Sequence, residues 1–380
     1  MTGPLDGVRI IEMAGLGPAP FAGMVLSDLG AQVLRIHPRS DRGDLPSINT
    51  RFDVLARGRD AVRIDLKDPR GRGLLEDLAA GADALIEGFR PGVMERLGLG
   101  PDVLCTRNPR LVYGRMTGWG QTGPLADRAG HDINYIALSG VLDAIGEAGR
   151  APVPPLNLLG DFGGGGMLLA TGVLAALVEA GRSGRGQVVD AAMVDGAALL
   201  SAMIWGLRAA GAWGGGRGGN FLDGGAHYYA TYACADGRHV AVGAIEPQFR
   251  AALYAGLGLT PGSAAEEEDP AQWPRLRDRI AAVFRTRPRD AWAARFEGTD
   301  ACVTPVLDWD EATAHPHNVA RGTFVAGDRL TQPRPAPRFS RTPSRMPDPA
   351  GTPFAPDPAV LGRWGIAAER IDALREGGVI

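Results

Sequence analysis

Val8-Arg9-Ile10-Ile11-Glu12-Met13, running directly into Ala14-Gly15-Leu16-Gly17, is the stretch whose reading decides the fold. A short apolar run rich in β-branched residues, closed by two glycines, reads as a buried strand turning into a helix that ends near Gly30. The unit then repeats. Val33-Leu34-Arg35-Ile36 is a second strand, 62–66 a third with a helix after Pro69, 84–87 a fourth with a short helix, and 111–115 a fifth. Strand and helix in alternation predict an α/β fold with a parallel, doubly wound, Rossmann-like sheet. Such sheets hold ligands beyond the carboxyl ends of their strands. The loops after Met13, Ile36 and Glu87 are therefore the expected walls of a site.

Farther along, 162–178 is uncharged, but it opens with glycines and falls short of the roughly 20 apolar residues of a membrane span. It reads as a buried helix reaching about Ala180, followed by a turn at 181–186 and a strand at 188–190. The glycines of 214–219 suggest a crossing into a second region, where 228–242 alternates as a hairpin turning at Asp236-Gly237. Helices are expected at 253–258 and over 273–296, an extended proline-rich segment over 333–358, and a terminal helix over 358–375. This organisation gives a large domain of 1–197 with 332–380 and a smaller α+β domain of 198–331.

With 380 residues and a net charge of −3, nothing in the overall field points to nucleic acid or a membrane surface. Cys105, Cys234 and Cys302 are odd in number and form no CxxC pair, so neither a disulfide framework nor a structural zinc is indicated. A reducing, cytoplasmic setting is expected. The first residues also lack the basic-then-apolar layout of a signal peptide.

Gly15-Leu16-Gly17-Pro18-Ala19-Pro20 fails as a dinucleotide fingerprint. Its third glycine position holds Pro20, and the second strand ends in His37-Pro38 where an acid would bind ribose. Arg39, Arg42, Arg51, Arg57, Arg59, Arg63 and Arg90 are scattered over the region from Arg35 to Arg90, each either a surface charge or a phosphate fork. Arg90 is the best placed, in the loop Glu87-Gly88-Phe89-Arg90-Pro91-Gly92 beyond a strand.

Chemistry concentrates in Gly130-His131-Asp132-Ile133-Asn134-Tyr135 and Gly160-Asp161-Phe162-Gly163. An imidazole and a carboxylate on separate elements suit proton abstraction from one face of a carbon and return from the other. Each residue also has a plain reading: His131 bonded to a neighbour, Asp161 as an N-cap, and Glu246 before Pro247 as a turn residue.

Together with 155–162, 186–191, 222–226, 243–249 and 300–306, these stretches resemble the alpha-methylacyl-CoA racemase branch of the family III CoA transferases. The resemblance covers nearly the whole chain in order. It implies an isomerase interconverting 2-methylacyl-CoA epimers in lipid metabolism, without metal or redox cofactor, and built as an interlocked homodimer. His131 and Asp161 would be the two bases, and Glu246 would orient the histidine. The CoA part would lie against Arg35, Arg39, Arg59, Arg63, Ile64, Asp65, Leu66, Arg90, and the run Gly130, Asp132, Ile133, Asn134, Tyr135. The rival chemistry is CoA transfer, with Asp132 as nucleophile. The chain departs from the family pattern at His37-Pro38-Arg39, at Asp60 and at His227, which bears on adenosine contact and acyl preference.

Overall fold

The computed structural model describes residues 3–39, 50–351 and 354–380, so that Arg42 lies outside the described residues. Its main sheet has six strands: β1 (Arg9–Met13), β2 (Gln32–His37), β3 (Asp60–Arg63), β4 (Ala84–Glu87), β5 (Val112–Thr117) and β6 (Val188–Ala192). Their order is β3-β2-β1-β4-β5-β6, and every neighbouring pair is parallel. The doubly wound sheet expected from the alternation is present.

Strands covered on both faces read as nearly continuous apolar runs, which is why β1 and β4 were legible. On one face Ile11, Met13, Leu34 and Ile36 pack with Leu74, Leu75 and Leu78 of helix α2 (Pro69–Ala80). On the other, Ile10, Val33 and Ile86 pack with Ala19, Ala22 and Leu26 of a helix that precedes it, α1 (Pro18–Asp28). The order reverses between β1 and β4, so the loops after Met13 and Glu87 flank the switch point where such sheets take ligands.

The helix expected from about Gly160 is two structures in sequence. Leu158–Met167 is π-helical, and Leu168–Ser183 continues as an ordinary α-helix. Glycine is required in the first because its neighbours leave no room. A Cβ on Gly164 would lie 2.7 Å from the backbone of Ala197, and one on Gly166 2.7 Å from the Phe21 ring. By length and composition 158–183 is apolar enough to cross a membrane; within the fold Leu169, Ala170, Val173, Ala176 and Ala180 are buried along it.

The chain divides into two compact units, Met1–Ser139 with Leu156–Leu200 and His317–Ile380, and Gly140–Pro155 with Ser201–Pro316. Three segments thus sort differently from the sequence-based boundaries, the shortest being 198–200, which goes with the first unit. Residues 140–155 go with the second unit, where Arg217 donates to the Asp143 and Arg150 carbonyls, both at 2.6 Å. Residues 317–331 go with the first, where the paired segments Phe324–Ala326 and Thr331–Pro333 are tied by Arg57 Nη1 to the Pro333 carbonyl at 2.7 Å.

The second unit is built on an antiparallel sheet of β7 (Tyr229–Ala233), β8 (His239–Gly243) and β9 (Val303–Pro305). Gly237, at φ 75°, supplies the left-handed residue of the expected hairpin turn. The helix expected over 273–296 is broken into Trp273–Phe284 and Arg289–Phe296, with Pro288 capping the second. The terminal helix of the first unit is likewise split, into Val360–Arg363 and Ala368–Glu376, around Gly365 at φ 85°.

Candidate active site

His131 sits one residue before the helix Asp132–Leu138, in extended backbone, and its N–H donates to Asn134 Oδ1 at 3.0 Å. Asn134 is thereby assigned a structural task, holding the histidine at the helix start. The imidazole is exposed, whereas Asp132 beside it is buried. Asp132 turns inward, and its Oδ2 accepts the backbone N–H of Asp161 at 2.7 Å. Gly160 must be glycine here, because a Cβ would stand 2.6 Å from that same oxygen.

Asp161 is half-buried at the start of the π-helical segment. Asn157, four residues earlier, donates from Nδ2 to Asp161 Oδ2 at 3.1 Å. Burial raises the Asp161 pKa above the usual carboxylate range. The Asn157 hydrogen bond pulls it back, the Asp132 charge pushes it up again, and His131 lies near enough to lower it electrostatically. His131 and Asp161 are therefore brought to one place by two different elements, the helix Asp132–Leu138 and the segment Leu158–Met167.

Both switch-point loops border this place. Gly17, at the start of α1, offers its empty Cβ position 3.2 Å from Asp161 Oδ2. After β4, the Glu87 carboxylate accepts Phe89 N–H at 2.7 Å and Arg115 Nε at 3.1 Å, which fixes the loop presenting Arg90. Burial pushes Glu87 up to about 7. Arg90 is exposed and close enough to Tyr135 to lower its pKa, against burial and the Asp161 charge. Tyr135 itself is buried edge-on against Trp119, ring centroids 4.7 Å apart, and leaves no room for a side chain at Gly118.

The other residues expected at the CoA end fall into two groups. Arg39, Asp65 and Leu66 lie just past the ends of β2 and β3 with Arg63, whose Nη1 donates to the Pro38 and Arg39 carbonyls at 3.3 and 3.0 Å. Ile133 and Gly130 are accessible, while Ile64 is in the core and presents only backbone. Arg35 and Arg59 correct the sequence reading. Arg35 lies in β2, as its strand reading expected, but both side chains are buried in ion pairs with Glu12. A charge cannot be buried cheaply without a partner, so the family-like position does not make them surface phosphate ligands.

Glu246 belongs to the second unit, at the N-cap of the helix Pro247–Leu257, with no capping bond from its side chain. Its plain reading as a turn residue before Pro247 fits that place, and the carboxylate is exposed. His227 is fully buried in that unit, packed against Tyr228 and Tyr254, so it does not line an accessible surface. Asp60 pairs with Arg363 at 2.9 Å, and His37 packs on Phe354. No cluster of metal-ligating side chains occurs among the described residues. Asn157 was missed from sequence, although its i, i+4 spacing from Asp161 is the signal that would have found it.

Fold and site define an α/β protein with an imidazole–carboxylate pair beside the switch point of a doubly wound parallel sheet. The chain belongs to the CoA-transferase family III, whose sequence model matches residues 5–354. It is 47% identical to the alpha-methylacyl-CoA racemase of Mus musculus over 99% of this chain and 97% of the relative. The alpha-methylacyl-CoA racemase of Homo sapiens is 45% identical, with the same coverage of both chains. Among solved structures, a CAIB/BAIF family protein from Brucella suis matches with a TM-score of 0.79 at 25% identity, covering 96% of this chain and 100% of that one.

Proposed function

We propose that the protein is an isomerase that interconverts the (R) and (S) epimers of 2-methylacyl-CoA thioesters by 1,1-proton transfer. The observation that carries this is the exposed His131 within electrostatic reach of a half-buried Asp161 whose pKa is raised. A thioester acidifies its α carbon because the enolate spreads charge onto oxygen. One base removes the proton from one face, and the other, already protonated, delivers one from the opposite face. Asp161 has to carry the proton in half of the turnovers, and burial favours that state. The enolate oxygen needs a donor. The N–H of Asp132, first in its helix, has no acceptor within that helix, and one such donor is typically worth about 3–4 kcal/mol.

CoA transfer with Asp132 as nucleophile is the weaker reading. A nucleophilic carboxylate must reach the thioester carbonyl, whereas Asp132 is 6% exposed with one oxygen held by Asp161. Full-length identity to the two racemases supports the same choice. In this reading Arg39, Arg63, Asp65, Leu66 and Arg90 hold the CoA part, Glu246 steers the histidine, and branched-chain acyl groups of cytoplasmic lipid metabolism are the substrates. The active form is an interlocked homodimer. Large apolar side chains stand exposed on each unit, Leu199 (62%) and Leu200 (55%) on the first and Met203 and Trp205 (each 58%) on the second, as expected of surface awaiting a partner.

The deciding experiment incubates one 2-methylacyl-CoA epimer with the protein in deuterated water. Interconversion with deuterium at the α carbon is expected. Transfer of CoA to a free acid without α exchange would establish the transferase instead.

A further inference from the structure

The loop that carries Arg90 is tied at both ends to one side chain. It leaves β4 at Glu87 and enters the short helix Val93–Arg96 at Gly92. Pro91 followed by Gly92 at φ 80° forms a type II turn, closed by the Val93 N–H on the Arg90 carbonyl at 3.2 Å. Arg115 stands in β5 directly opposite Glu87 in the sheet register. Its Nε donates to Glu87 Oε1 at 3.1 Å, and its far end reaches Glu95, Nη1 to Oε1 at 2.8 Å and Nη2 to Oε2 at 3.3 Å. One buried guanidinium thus spans positions 87 and 95, with the whole loop between them. Phe89 and Met94 pack into the core from within that span, whereas Arg90 is exposed and its guanidinium has no partner among the described residues.

The two carboxylates do different work. Glu87 sits on a strand that the sheet holds whatever the loop does. Glu95 sits on a helix of four residues, too short to be stable without tertiary support, and its side chain is 42% exposed. The bidentate pair between Arg115 and Glu95 therefore fastens the far end of the loop to the sheet, a task that the planar guanidinium fork performs and an ammonium cannot. We propose that Arg115 is a positioning residue for the CoA part of the substrate: by tying Glu95 to Glu87 it presets the loop from which Arg90 meets an anionic group of CoA. This rests on the reading in which Arg90 holds CoA. A preset loop has less freedom to lose when the ligand binds, so the gain falls on affinity and not on the chemical step.

The test is a double-mutant cycle on CoA binding by the intact protein, read by calorimetry with CoA itself as the probe. Glu95→Ala removes the outer tie at an exposed side chain and leaves Arg115 paired with the buried Glu87. Arg115→Lys keeps a cation beside Glu87 and loses the fork. Each should weaken CoA binding at least about fivefold. With Arg90→Ala already present, neither should weaken it further, because the tie acts through Arg90. General damage to the fold would instead multiply with the Arg90→Ala loss, and that result overturns the proposal. So does wild-type affinity in both variants, or a wild type that does not bind CoA. In turnover the loss should appear in KM for the acyl-CoA; a fall in kcat at unchanged KM would overturn the proposal as well. A wild type that binds CoA yet exchanges no α proton would defeat the racemase reading alone, since the binding cycle needs no turnover.

Discussion

Asp132 holds Asp161 by the backbone while opposing it by charge: Asp132 Oδ2 accepts the Asp161 N–H at 2.7 Å, and the same carboxylate raises the Asp161 pKa. One residue thus fixes the second base in place and keeps it protonatable. Asp132→Asn preserves an acceptor oxygen but removes the charge. The Asp161 pKa then falls, so the acid limb of the pH profile of kcat/KM should move to lower pH while the basic limb stays. An acid limb that does not move in α-proton exchange assays would separate Asp132 from the electrostatics of the site.

Asn157 acts in the opposite sense. Its Nδ2 stabilises the ionised form of Asp161, so Asn157→Ala removes a term that lowers the pKa. The acid limb should shift to higher pH, opposite in sign to Asp132→Asn. The two profiles measured side by side make a paired check, because general damage to the site would not move the limb in two directions.

His131→Ala removes the exposed imidazole while the backbone N–H that bonds Asn134 Oδ1 remains. Turnover should fall at least about 100-fold, the usual scale for a general acid–base group, with affinity for a CoA ester nearly intact. Exchange of the α proton at the wild-type rate would take His131 out of the mechanism.

Gly17 is held at φ 69°, ψ −119°, a backbone region open essentially to glycine alone, and its Cβ position points at Asp161 Oδ2. Gly17→Ala should cost about 1–3 kcal/mol of stability from strain and crowd the second base. The expected signature is a lowered urea midpoint together with a fall in kcat at pH values where the protein is fully folded. Unchanged turnover in the folded variant would show that the space beside Asp161 is not needed.

What the chain disclosed about itself followed the physics of each segment. Residues 84–87 were read to the residue because a strand buried on both faces is a nearly continuous apolar run, closed here by Glu87. β9 was not read, since Val303-Thr304-Pro305 is too short to show a period. The π-helical turns were hidden because glycines register as breaks in a pattern, while what they serve is close approach to α1 and to Ala197. His131 and Asp161 were legible as residue types. Burial was not, and burial moved Arg35 and Arg59 from surface ligands to an interior cluster around Glu12.

The same blindness to burial governs His227, a departure from the family pattern that looked like a change in acyl preference. The ring is 0% exposed, and neither nitrogen finds a hydrogen-bond partner among the described residues. Burial, aided by the Arg250 charge, pushes its pKa down to about 4. The unfolded chain, with histidine near 6.5, therefore binds a proton that the folded chain refuses between about pH 6.5 and 4. Stability contributed by this residue is whole above that window and declines through it as pH falls. A difference of about 2.5 units corresponds to about 3 kcal/mol at the acid end. His227→Leu fills the site without a titrating group. Urea midpoints measured from pH 7.5 to 4 should fall more steeply for the wild type than for the variant, and parallel curves would mean that the ring gains its proton without unfolding the second unit.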